Sequence, residues 1–165
     1  RYALARRDAA LALHYCHPDA PPDFQSGFKV YSSKAVHLLQ TGLATAAAEH
    51  PQKEMLRWGM ELVPLVEVAL AGGVFGEARR ASYRDQPVTA YGSIDRPRAY
   101  GQKAIWVFQR CGVAPAAAAQ MLHNALTRRL LETDPAGRAE LHAFRTFVLR
   151  GVGVPETSPH AARFL

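Results

Sequence analysis

His14, Cys16 and His17 fall within four residues of one another in the stretch HYCHPD, and imidazole with thiolate is a donor set that zinc takes. A structural zinc site needs about four ligands, and no CxxC or HxxxH partner occurs elsewhere in the chain. The stretch therefore reads as a helix end with His17 near the last carbonyls, where a cationic ring is favoured. No metal and no other cofactor is expected. A cysteine becomes a nucleophile only beside a base and in an activating environment, and Cys111, closing a segment with Trp106 and Phe108, reads as a buried inert thiol. GxSxG, GxxxxGK[ST], HExxH and GxGxxG are all missing from the sequence, and Glu61 and Glu67 are spaced as solvated positions of a helix rather than as a carboxylate pair. The expectation is a protein that is not an enzyme.

Positive charge is the stronger signal. The 165 residues carry a net charge of +6, and sixteen of the twenty basic residues are arginine. Between residues 79 and 103, Arg79, Arg80, Arg84, Arg96, Arg98 and Lys103 interleave with Tyr83, Tyr91 and Tyr100. Arginine forks match phosphate oxygens, and tyrosine adds a hydroxyl or a stacking face, so this segment suits a polyanion. A solvated surface loop or a contact for an acidic protein has the same composition. Residues 105–129 have the length of a helix-turn-helix with Gly112 at the turn, but Ala116 to Ala119 cannot hydrogen-bond to base edges, which favours an ordinary αα-hairpin.

GFKVYSSKAV at 27–36 alternates Phe28 and Val30 with Lys29 and Tyr31, then offers Ser32 and Ser33 as caps for a helix. A strand followed by two helices is the ribbon-helix-helix order, in which two chains pair their strands and alternate side chains enter the major groove. Lys29 and Tyr31, with Gln25, are then the outward residues, Lys34 lies just beyond them, and Phe28 and Val30 face the second chain. A small strand packed inside a helical domain has the same periodicity. FKVYSSKAVHLL with its helical remainder resembles the AcaB-like regulators of conjugative plasmids and integrative elements of Gram-negative bacteria, over roughly residues 24–45. The resemblance implies a homodimeric ribbon-helix-helix DNA binder that controls transfer genes, with Lys29 and Tyr31 on the ribbon. The helical segment at 51–71 is longer than the second helix of a minimal module of this kind. The leading expectation is a DNA-binding transcriptional regulator of a bacterial mobile element. The alternative is a helical subunit of a bacterial nucleoprotein or protein assembly that uses the Arg/Tyr loop for RNA or protein contacts.

The elements that must position these residues follow from periodicity. A chain of this length buries about 70% of its unfolded surface as one domain, so a single helical domain over 1–165 is expected. Leu4, Leu11 and Tyr15 suggest a helix over 2–16, which Asp8 distinguishes from a secretory signal. HPDAPPDFQSG is a loop, FKVYS a short strand, and Val36, Leu39 and Leu43 mark the next helix. Met55, Leu56, Met60, Val63, Val66 and Leu70 predict the longest helix, kinked by Pro64 near Met60–Val63. A candidate ribbon-helix-helix element thus covers 27–71, and a basic loop with a possible strand at VTAY covers 77–101. Helices follow from 103, from Pro115 with Met121, Leu122, Leu126 and Leu130, and from Asp134 with Leu141, Phe144, Phe147 and Val148. Residues 152–165 form an extended tail. The fold class is mostly α, five to six helices with one short strand. Two cysteines and no apolar run of roughly 20 residues point to a cytoplasmic protein with no membrane segment.

Overall fold

The computed structural model describes residues 7–8, 13–15, 29–78 and 94–155. Their architecture is mostly α. Helices α1 (Ser33–Glu49), α2 (Val63–Leu70), α3 (Arg96–Arg110), α4 (Pro115–Glu132) and α5 (Pro135–Gly151) are joined by a five-residue π-helical turn at Met55–Gly59. Three short strands, β1 (Arg7–Asp8), β2 (Leu13–Tyr15) and β3 (Gly76–Ala78), pair antiparallel in the order β1-β2-β3. The chain divides into two compact units, one of Arg1–Thr45 with Glu61–Ser93 and one of Ala46–Met60 with Ile94–Leu165.

In the first unit, the helix expected over 2–16 is replaced at 7–8 and 13–15 by strand. The alternation Leu11, Leu13, Tyr15 against Ala12 and His14 has a period of two and competes with the helical spacing of Leu4, Leu11 and Tyr15. The strand expected at FKVYS is not among the elements, since residues 29–32 join no ladder; residues 27 and 28 lie outside the described residues. Helix α1 then starts as its sequence suggests, with the Ser32 hydroxyl accepting a hydrogen bond from the Ala35 amide at 3.3 Å. It approaches α2 at Gly42, where a Cβ would run into the side chains of Glu67 and Val63. Val63 is fully buried there.

The segment expected to be the longest helix is interrupted. Pro64 has no amide to give the carbonyl of Met60, so α helix cannot continue through it. The Met60 amide instead donates to the carbonyl of Met55 at 3.2 Å, closing the wider π turn, and α2 restarts with Pro64 in its first turn. The break lies where a kink was expected, but it is a full interruption. Among the described residues the longest helix is α4, with 18 residues.

The second unit is built on α3, α4 and α5. Arg96 reaches Glu140, Gly101 lies beside Phe147, Ile105 beside Gly151, and the Gln109 side chain donates to the Gly151 carbonyl at 3.3 Å. Residue numbers rise together along both helices, so α3 and α5 run parallel and α4 returns between their ends. Asp95 and Asp134 cap α3 and α5, accepting from the amides of Arg98 (3.1 Å) and Gly137 (2.8 Å), each with a proline in the first turn. Both helices also end alike. Gly112 and Gly153 take positive φ of 63° and 81°, which lets the amides of Val113 and Val154 fold back to the carbonyls of Phe108 and Leu149 at 2.9 Å. The second of these turns delivers Val154 to the core formed by Ile105, Ala119, Leu122, Val148 and Leu149.

α4 buries most of the face expected, with Met121 the exception. Ala118, Ala119, Leu122 and Leu126 are buried, whereas Met121 is 54% exposed. Met121 and Leu122 are separated by about 100° around the helix, so the two cannot share a core face when Leu122 and Leu126 define it. Leu122→Ala is expected to cost about 2–5 kcal/mol in chemical denaturation through lost burial and a residual cavity. Met121→Ala should stay within about 0.5 kcal/mol of the parent. Equal losses from the two would show that α4 is rotated from this register.

Candidate nucleic-acid interface

The residues expected to contact a polyanion divide between the two units. In the first, Lys29 and Tyr31 are half-buried, Val30 is 84% exposed, and Lys34 is exposed in the first turn of α1. Val30, expected to face a second chain, is open to solvent in the single chain, while Lys29 and Tyr31, expected outward, are partly covered. Burial raises the Tyr31 phenol above its ordinary value near 10. Gln25, Arg79, Arg80 and Arg84 lie outside the described residues, as do Tyr83, Tyr91, the VTAY segment and residues 156–165 of the expected tail.

In the second unit, Arg96 and Arg98 belong to α3 and not to a loop. Residues 77–78 are in β3 and 96–101 are helical, so both ends of the basic loop expected over 77–101 are regular structure; residues 79–93 lie outside the described residues. Helical geometry also separates the two arginines by about 200°, sending them to different neighbours. Arg96 Nη1 lies 3.9 Å from Glu140 Oε2 on α5, and Arg98 Nε lies 3.7 Å from Glu54 Oε1 just before the π turn. Both arginine side chains keep 55% of their surface exposed, so these pairs contribute little to stability and leave the guanidiniums accessible.

Lys103 departs furthest from expectation. It is 7% exposed, and its Nζ lies 5.4 Å from the centroid of the Tyr100 ring, where the π face attracts the ammonium. Its position on the inner side of α3 removes it from any surface offered to phosphates. Arg145 on α5 is likewise buried, and desolvation lowers its pKa. Cys111, expected to be buried, is exposed at the end of α3 because the chain turns away from the core at Gly112. His14 falls in β2, while Cys16 and His17 lie outside the described residues.

One pair was not anticipated from the sequence. On the π turn, the Arg57 guanidinium carbon lies 4.8 Å from the centroid of the Trp58 ring. Met55 and Gly59, both buried, hold the inner side of the turn, leaving Leu56 and Arg57 exposed and Trp58 half-buried. The adjacent Arg-Trp pair was the available signal, but it was absorbed into the periodicity of an uninterrupted helix.

No family model matches this chain, and neither a curated protein nor a solved structure does. Among the described residues no three His, Cys, Asp or Glu side chains group as metal ligands, and no helix is long and apolar enough to cross a membrane.

The raised Tyr31 pKa has a testable sign. The fold favours the neutral phenol, so its contribution is fully present below about pH 10 and is lost as pH climbs through the raised value. Urea denaturation across pH 9 to 12 should therefore show a decline in stability that Tyr31→Phe reduces. An identical decline in the two proteins would place the phenol in water.

Proposed function

We propose that the protein is a DNA-binding transcriptional regulator, of the kind carried by bacterial mobile elements, acting as a homodimer. The observation that carries this reading is the excess of positive charge, +6 over the chain, together with the exposure of Lys34, Arg96 and Arg98. Accessible cations release counterions from a nucleic-acid backbone, and arginine forks fit phosphate oxygens. The resemblance of residues 24–45 to AcaB-like regulators supports the narrower assignment.

The proposed dimer rests on Val30. A ribbon strand is completed only by its partner chain, and a valine 84% exposed beside the start of a helix is the kind of residue that a second copy would cover. Tyr31, partly covered within its own chain, serves packing as much as recognition in this arrangement. A helical subunit of a larger assembly is the second reading, favoured by the exposure of Met121 (54%) and Leu131 (81%) on α4.

Duplex affinity measured at increasing salt distinguishes the two readings. A regulator that neutralises several phosphates gives a steep negative slope of log affinity against log salt, and absence of binding to any duplex at low salt would falsify the proposal. Lys29→Ala is expected to cost about 1–3 kcal/mol on the preferred site and to relax sequence preference, whereas Arg80→Ala weakens all duplexes alike and reduces the salt slope by about one.

Val30→Lys tests the dimer separately. Light scattering should report a monomer with unchanged helical circular dichroism, and a persistent dimer would place the contact elsewhere.

A further inference from the structure

Two tryptophans occur in the chain, and their surroundings are opposite. Trp106 is 1% exposed inside the second unit, while Trp58 stands half-buried on the π turn with the Arg57 guanidinium against its ring. The turn itself is anchored. Met55 is fully buried, Gly59 is buried so closely against Met55 that a Cβ would meet its sulfur, and the turn packs on α3. Anchoring fixes the direction in which the outer residues project.

Those outer residues have the composition of a stacking site for nucleic acid. Lys53 and Arg57 are exposed four positions apart, and Arg98 approaches the same segment through Glu54 at 3.7 Å. Lys53, Arg57 and Arg98 thus set three cations against the one carboxylate of Glu54 on this segment, a net positive charge suited to a phosphodiester backbone. Arg57, lying over the indole and itself exposed, can present the face of its guanidinium to a base. Proteins that bind unpaired strands stack bases on aromatic rings and on arginine planes in this manner, whereas a base within a duplex keeps both faces against its neighbours.

We infer that the Arg57–Trp58 pair on the π turn is a contact for single-stranded nucleic acid, in which an unstacked base lies on the guanidinium that covers the indole. The inference rests on the proposed nucleic-acid function and adds to it a preference for unpaired over paired strands at this site.

Tryptophan fluorescence tests it in the full chain, because Trp106 is shielded and Trp58 supplies the accessible signal. An oligothymidylate of about 16 nucleotides should protect the emission from iodide and should bind more tightly than a duplex of equal length. Trp58→Phe should remove the iodide-sensitive signal, and Arg57→Ala should weaken oligothymidylate binding about five- to one-hundred-fold. Arg57→Lys keeps the charge and loses the planar face, so it should bind nearly as weakly as Arg57→Ala. Arg57 is exposed, and retention of the helical circular-dichroism signal and melting temperature by both variants confirms that folding is intact. Duplex binding with no change in Trp58 accessibility, or an Arg57→Lys protein that binds as the parent does, overturns this inference and leaves the DNA-binding proposal standing. Failure of both duplex and oligothymidylate to bind overturns the two together.

Discussion

Helix α3 lies against α5 because neither Gly101 nor Gly151 carries a side chain at the two points of closest approach. At the first the ring of Phe147 occupies the space a Cβ would need, and at the second Ile105 does the same from the opposite helix. Each helix therefore contributes one glycine and one large apolar residue, and the reciprocal fit fixes their parallel register. That register sets Arg96 opposite Glu140 and brings Gln109 to the last carbonyl of α5. Gly101, inside α3, costs about 1 kcal/mol in propensity, a loss that close packing of this kind must exceed, whereas Gly151 closes α5 and carries no such interior cost.

The same packing explains why charge on α3 is distributed as it is. Arg96 and Arg98 begin the helix, so they project beyond the buried middle and meet carboxylates while remaining half in water. Lys103 lies further along, where the helix is covered, and its ammonium is held near Tyr100. Cations within eight residues thus have separate environments. An arginine-rich segment is consequently not one surface, and its basic character as a sequence overstates what a single partner can touch.

Local signals in the sequence were legible where one short-range force decides the outcome. The Ser32 cap, the first-turn prolines of α4 and α5, the break near Pro64 and the turn at Gly112 all depend on a hydrogen bond made, lost or redirected within a few residues. Faces of helices were less legible. Met121 and Leu122 are both apolar neighbours, and only the position of α5 decides which one is buried. The strands at 7–8 and 13–15 are hidden in the sequence because β2, the middle strand, is held on its second edge by β3, more than sixty residues away. In the candidate site the residue types were visible, but Lys103 and Arg96 look alike until helix packing separates them. Arg57 and Trp58 were concealed by a periodicity that the π turn breaks.

A π turn is, in effect, an α-helix that has accepted one additional residue, and this gives the segment a genetic dimension. Loss of a single codon between 55 and 59 would allow the ordinary repeat of about 3.6 residues to re-form across the gap. The flanks of the deletion would keep their facing, because the wider turn absorbs its extra residue without rotating one side of the segment against the other. Glu54 would stay near Arg98, and the buried residues at the two ends of the turn, now three positions apart, would still share an inner face. What the segment would lose is one outward side chain. The extra residue of a π turn is therefore room for one more exposed group at an anchored position, and Arg57 and Trp58 occupy that room.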